Sequence, residues 1–182
     1  MLAESALAIK ARTGLPIQGQ CEPPADFAWF GQLHSAGVDS LGMHLEAWDE
    51  DVRRRIMPGK AEVPVTFYLE AFAAAVAVFG RGQVSTYLLA GLGDSIEGLL
   101  EASQRLIEIG VYPFVVPFVP VSGTPLADHP PASVEFMRSV LQPLGHWLTQ
   151  AGMTSSTVKA GCAKCAACST LSTFERPGVE TD

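Results

Sequence analysis

The run Val111 to Val119, Val-Tyr-Pro-Phe-Val-Val-Pro-Phe-Val, carries no charged side chain. A segment this apolar is stable as a strand only when both of its faces are covered, which is the situation inside a parallel sheet flanked by helices. The remaining sequence supplies those helices. Leu2 to Arg12 reads as helical, and Pro16 to Glu22 as an extended run closed by Pro23 and Pro24. Phe27, Phe30, Leu33 and His34 recur at helical spacing between Asp26 as cap and Gly37 as terminator, and Val38 to Glu46 follows as a strand. Asp49, Glu50 and Asp51 open a short helix whose last turn holds Arg53, Arg54 and Arg55, the charge order the helix dipole prefers, and Pro58-Gly59 ends it. Pro64 begins a helix through Phe67 to Phe79, and Gln83 to Ala90 is the next strand. Asp94 and Glu97 then form a start like a capping box, and the apolar stripe that follows stops at Gly110. Val134 to Leu148 is the helix after Val111 to Val119, and no periodicity continues past Met153.

Four strand-then-helix units without an Asn-Gly hairpin signal imply an α/β fold with a parallel sheet, either doubly wound or an arc of a β/α barrel. Residues 1–152 are expected to form this unit and 153–182 a cysteine-containing tail, partly disordered. Ligands of such sheets sit at the carboxyl ends of the strands, here 20–22, 44–46, 91–94 and 117–123.

Composition narrows the function. The 182 residues are 48% hydrophobic and 17% charged, as in a globular domain, with a net charge of −7. Arg53 to Arg55 is the only dense basic cluster, so no nucleic-acid partner is expected. No apolar stretch reaches the roughly 18 to 20 residues that span a bilayer, and Met1 to Lys10, which contains Glu4, does not read as a signal peptide. A cytoplasmic location with no membrane partner is therefore expected. In that compartment four cysteines, three of them between Cys162 and Cys168, favour metal over disulfides.

Strand alternation puts Leu41, Met43 and Leu45 on one face and Gly42, His44 and Glu46 on the other, so His44 and Glu46 could grip a polar ligand. The plainer alternative is a surface histidine and a carboxylate paired with Arg53 or Lys60. Gly91-Leu92-Gly93-Asp94 joins a strand to a helix start, where glycines admit a close ligand and free N–H groups favour an anion; it matches neither a Walker loop nor a dinucleotide fingerprint, and the alternative is a tight turn. The loop Pro117 to Leu126 reads as a lid or packing loop. Cys162, Cys165 and Cys168 form a Cys-x2-Cys-x2-Cys segment like those of bacterial ferredoxins, in which three thiolates face one cluster and leave one iron open. Zinc would need a fourth ligand from Cys21, His34, His44, His129 or His146, and incidental reduced thiols are the remaining alternative.

The ordered run Gly91-Leu92-Gly93-Asp94, a helix, an apolar strand and Gly123-Thr124-Pro125-Leu126-Ala127-Asp128 resembles biotin synthase and its relatives in the radical S-adenosylmethionine superfamily over most of residues 16–152. The resemblance implies a partial (β/α) barrel of that type, about four parallel strands with helices, plus an irregular cysteine-rich tail. It further implies S-adenosylmethionine and a 4Fe–4S cluster as cofactors, a small-molecule substrate, and an electron donor such as flavodoxin or ferredoxin. In that family the glycine turn and the loop after the next strand border S-adenosylmethionine, which assigns Leu89, Gly91, Gly93 and Val119 to cofactor binding. An Asn-x-Asp or Asn-x-Glu that reaches the ribose corresponds to His44-Leu45-Glu46, where Glu46 fits and His44 departs. The core Cys-x3-Cys-x2-Cys is absent. The chain is therefore expected to be the carboxyl-terminal part of a radical enzyme that is biotin-synthase-like but not biotin synthase, inactive by itself, with an auxiliary iron–sulfur cluster at Cys162, Cys165 and Cys168. No catalytic residue is assigned. The rival expectation is a non-catalytic iron–sulfur, zinc or electron-transfer protein that works through the same cysteines.

Overall fold

The computed structural model describes residues 1–176. Helix α1 (Leu2–Thr13) precedes strand β1 (Gln18–Gln20), α2 (Ala28–Ser35) and β2 (Ser40–Gly42). Two short helices, α3 (Glu50–Ile56) and α4 (Pro58–Ala61), lead to α5 (Val65–Phe79) and β3 (Val84–Ala90). Helix α6 (Ile96–Ile109), β4 (Val111–Pro117) and α7 (Val134–Gln150) complete the alternation, and the short helices α8 (Cys162–Cys165) and α9 (Leu171–Phe174) lie in the tail. All four strands are parallel, in the spatial order β1-β2-β3-β4. The fold is thus the expected α/β arc, an open sheet and not a closed barrel.

The two faces of the sheet differ in chemistry. Leu41, Met43, Leu45, Val84, Leu88, Val111 and Val115 are fully buried and form the core with Phe72, Leu99, Leu106, Leu144 and Leu148 of the helices. The opposite face carries Gln18, Ser40, Gln83, Ser85, Tyr87 and Tyr112, and those polar groups receive the tail. Gln83 donates to Thr157 O and accepts from the Lys159 amide, and Ser40 Oγ accepts from the Ala160 amide. Farther on, Ser169 Oγ donates to Val115 O and Tyr112 donates to the Glu175 carboxylate. Met153, Val158, Ala163 and Leu171 are buried along this path. Residues 177–182, part of the tail expected to be partly disordered, lie outside the described residues.

Gly145 of α7 shows how closely the tail is seated. A Cβ there would stand 2.6 Å from the Phe174 backbone, which cannot give way as a side-chain tip could. Gly145→Ala is expected to release α9 with a loss of about 1 to 3 kcal/mol, although alanine is the better helix former. Hydrogen exchange across residues 169–176 measures it; unchanged protection would refute the close seating.

Two local expectations are corrected. Regular pairing of the second strand ends at Gly42, where the sequence suggested Glu46. Beyond it the Tyr87 amide donates to His44 Nδ1 at 3.2 Å and the Leu45 amide to Thr86 Oγ1 at 2.9 Å, so side chains replace backbone partners. Backbone pairing resumes at Glu46, which donates to Tyr87 O and accepts from the Leu89 amide. The cap of α6 is Ser95, whose Oγ accepts from the Gly98 amide, and not Asp94.

Candidate functional site

His44, Glu46, Leu89, Gly91, Gly93 and Val119 all lie at or beyond the carboxyl ends of β2, β3 and β4. His44 sits on the polar face, its ring 4.4 Å from that of Tyr87 and packed over Gly42. Because Nδ1 accepts the Tyr87 amide, the neutral ring carries its proton on Nε2. Burial, aided by the nearby Lys60 charge, pushes the His44 pKa down to about 4, with Glu22 opposing. At neutral pH His44 is therefore an uncharged donor.

Glu46 holds a backbone angle of φ 66°, which is uncommon for a residue with a Cβ. Its carboxylate lies 3.3 Å from Lys60 Nζ, and the same ammonium lies 3.3 Å from Glu22. Tyr68 donates to Glu22, and burial followed by that carboxylate raises the phenol pKa. Cys21 stands beside this group, its thiol pushed up to about 11 by burial and then by Glu22. Of the two sequence alternatives for Glu46, the pairing with Lys60 is present, while Arg53 is engaged elsewhere. Sequence reasoning named Lys60 as one possible partner of Glu46 but did not find Glu22 and Tyr68, which reach the same place from other segments.

Arg53 is the other residue missed. It is 1% exposed, although the sequence reads it only as one of three basic residues in the last turn of a helix. Its guanidinium donates to Leu45 O at 2.5 Å, Lys60 O at 3.0 Å and Val63 O at 3.1 Å, with a longer bond to Ala47 O, and lies 5.2 Å from the Tyr68 ring centre. Arg53 thereby fixes the backbone that carries Glu46.

The glycine turn is built tightly against its own chain. Gly91, at φ 105°, would place a Cβ 3.0 Å from the Ala132 amide nitrogen, and Gly93, at φ 135°, would place one 2.6 Å from Arg55 Nη2. The turn is thus tight, and any ligand meets what it leaves exposed. Asp94 Oδ1 accepts from the Trp48 and Asp49 amides at 3.1 and 2.7 Å, while Oδ2 is buried without a partner. Burial raises its pKa against those two donors. Asp94→Ala is expected to free both amides and lower stability by about 2 to 3 kcal/mol, read from urea unfolding; a loss below about 0.5 kcal/mol would refute the clamp. Beyond the turn, Ile56, Phe118, Val119, Val121, Pro125 and Leu126 line an open, mainly apolar groove of about 260 Å³.

The cysteines of the tail lie apart from that groove. Burial and then the neighbouring Cys162 and Cys168 shift the Tyr87 hydroxyl to a higher pKa; Cys162 is half-buried, and Cys165 and Cys168 are exposed. Among the described residues no three His, Cys, Asp or Glu side chains are already gathered as a metal site. Of the suggested fourth ligands, His129 bonds Gly91 O at 2.6 Å, His146 meets Gln150, His34 packs on Phe79, and Cys21 adjoins Glu22. Only His44 shares a neighbour, Tyr87, with the cysteines. No helix among the described residues is long and apolar enough to cross a membrane.

A parallel β/α arc with its polar and glycine-bearing residues at the carboxyl edge is the arrangement of part of a β/α barrel. No protein-family model matches the chain. It is 32% identical over 125 residues to the bacteriochlorophyllide c C-7(1)-hydroxylase of Chlorobaculum limnaeum, across 68% of the chain and 31% of that protein. It is 26% identical over 144 residues to a probable dual-specificity RNA methyltransferase RlmN of Rhodopirellula baltica, across 78% of the chain and 38% of that protein. The chain spans about a third of the length of these curated relatives. Coproporphyrinogen III oxidase (HemN) from Escherichia coli, described as a radical SAM enzyme, superposes with a TM-score of 0.53 over 75% of the chain and 32% of its own, at 18% identity, which establishes a shared fold. Together these similarities support a place for the chain in the radical S-adenosylmethionine superfamily, whose members use S-adenosylmethionine and a 4Fe–4S cluster.

Proposed function

We propose that this chain is the part of a radical S-adenosylmethionine enzyme that holds the nucleoside side of S-adenosylmethionine. The observation that carries the reading is the placement of His44, Glu46, the Gly91 to Gly93 turn and the Val119 groove along the carboxyl edge of one sheet. The side chains suit that half of the molecule. His44 offers an uncharged N–H and Glu46 a carboxylate for ribose hydroxyls, and the apolar groove suits a base. When bound beside a reduced cluster, S-adenosylmethionine supplies hydrogen-atom abstraction. The core cluster does not fit the residues of this chain, because Cys-x3-Cys-x2-Cys is absent, so no step through it is assigned to them. The biotin-synthase-like reading rests on the ordered Gly91 to Asp94 and Gly123 to Asp128 motifs. A small-molecule substrate and a flavodoxin or ferredoxin donor belong to the same proposal for the complete enzyme.

Amide chemical shifts of the full chain, titrated with S-adenosylmethionine, test it. The expected result is saturable perturbation at Leu89, Gly91, Gly93 and Val119; perturbation elsewhere, or none at millimolar ligand, would overturn the proposal. Glu46→Gly separates ligand binding from folding. Glycine relieves the positive φ and should raise stability by about 1 kcal/mol, while removing a ribose partner and weakening S-adenosylmethionine about tenfold. A destabilised variant with unchanged affinity would return Glu46 to a purely structural role.

A further inference from the structure

Residues 118–133 join β4 to α7, a connection longer than the roughly 12 to 15 residues beyond which loops without secondary structure are uncommon. This loop is organised by its own bonds. Thr124 donates from its amide and its hydroxyl to Val121 O, the Ala127 amide donates to Thr124 O, and the His129 amide to Leu126 O, so residues 121–129 are a linked series of turns. Its ties to the rest of the chain are few. Among the described residues, only two hydrogen bonds leave 118–132 for another element: the Phe118 amide on Ala90 O at 2.9 Å, and His129 Nε2 with Gly91 O at 2.6 Å. A carbonyl can only accept, so His129 Nε2 carries the proton and donates. The half-buried His129 ring also stands edge-on to Phe118, with centroids 5.4 Å apart and the planes at 77°. Phe118 and Leu126 rest on the buried Ala47, Val52 and Leu92, a contact that is apolar and by itself non-directional.

We propose that His129 is a positioning residue for the base: its bond to Gly91 O seats residues 121–129 as a wall of the apolar groove and sets the Phe118 ring as the aromatic face of that groove. The proposal rests on the S-adenosylmethionine reading, which gives the groove a nucleoside to hold. Every lining residue except Ile56 of α3 comes from the loop that His129 fastens. Where position 129 is held therefore sets the width left between the loop and α3. Gly91 serves as the anchor because it is itself fixed at the end of β3, with the Ala132 backbone packed into the space a Cβ would take. Val119 and Val121, 67% and 60% exposed, are the apolar surface that a flat base covers. A wall seated before the ligand arrives spares binding the entropy of ordering the loop.

The test is titration of the full chain with adenosine, followed by amide chemical shifts, in the wild type, His129→Phe and His129→Gln, together with hydrogen exchange over residues 119–129. Phenylalanine keeps a ring beside Phe118 without a donor, whereas glutamine keeps an N–H donor of similar reach without a ring. His129→Phe should bind adenosine about tenfold more weakly and exchange faster over 119–129, as expected for loss of one fastening hydrogen bond. His129→Gln should restore most of the affinity and the protection, a rescue that a role in packing alone would not give. Equal affinity in the wild type and His129→Phe, or a His129→Gln as weak as His129→Phe, would overturn the positioning role. A wild-type chain that binds neither adenosine nor S-adenosylmethionine would overturn the S-adenosylmethionine reading and with it the positioning of a base. Unchanged exchange over 119–129 in His129→Phe would overturn the seat itself, whatever the ligand result.

Discussion

Arg53→Met will lower the unfolding free energy by roughly 3 to 5 kcal/mol, enough to leave a domain of ordinary stability with a substantial unfolded population. Methionine fills much of the volume but leaves the buried Leu45 carbonyl and the part-buried Val63 carbonyl without the guanidinium, and Lys60 O with only the Val63 amide at 3.3 Å. Arg53→Lys will not rescue it. A single ammonium cannot span carbonyls contributed by the β2 exit, the end of α4 and the segment before α5, whereas the planar guanidinium reaches all of them at once. The stem is also enclosed, at 1% exposure, so the packing on Tyr68 is lost as well. Urea unfolding followed by circular dichroism measures the effect, and a loss under about 1 kcal/mol for Arg53→Met would show that water takes over the carbonyls.

The second large effect depends on pH. Lowering the pH from 6.5 to 4 will remove up to about 3 kcal/mol of stability through His44 alone. The folded pKa is depressed below the ordinary value, so in this window the unfolded chain binds the proton and the folded chain does not. The contribution is complete above pH 6.5 and is lost as the pH falls toward 4. Asp94, whose carboxyl is shifted upward by burial, acts in the opposite sense, so the His44 part must be taken as a difference. His44→Asn provides that difference. The asparagine Oδ1 can still accept the Tyr87 amide but does not titrate, so wild type and variant should converge in pH dependence above 6.5 and separate below it. Parallel stability curves across the whole range would refute the assignment.

The sheet was legible because hydrophobic patterning is a local property. Leu41, Met43 and Leu45 are fully buried as alternation predicted, even though regular pairing stops at Gly42. The interruption was not legible, since it depends on His44 and Thr86 side chains taking over bonds from strands more than forty residues apart. The three arginines failed for a geometric reason. Consecutive helical residues point about 100° apart, so Arg53 enters the interior, Arg54 pairs with Glu50 and Asp51 at the surface, and Arg55 reaches Leu92 O. Asp94 preceded a helix and read as its cap, yet its carboxylate is occupied by amides that only the tertiary fold brings near. For the candidate site, the sequence placed His44, Glu46, Gly91 and Gly93 at the carboxyl edge, where they lie in the structure. It could offer Lys60 only beside Arg53 as a partner for Glu46 and could not find Glu22, because the ammonium joins two carboxylates that share no local pattern.

The tail's bonds to the sheet have a consequence for the order of folding. Lys159 reaches back 76 residues to Gln83, and Ala160 reaches back 120 residues to Ser40. Such distant pairings form late, because a long loop must close before they return any free energy, and here their acceptors sit on strands that must already be aligned. The β/α units can condense one after another as they leave the ribosome, each on its predecessor in the order β1-β2-β3-β4. The segment bearing the three cysteines emerges after all of them and docks onto a surface that is already assembled, so its thiols meet the Tyr87 hydroxyl only in a chain whose sheet is complete.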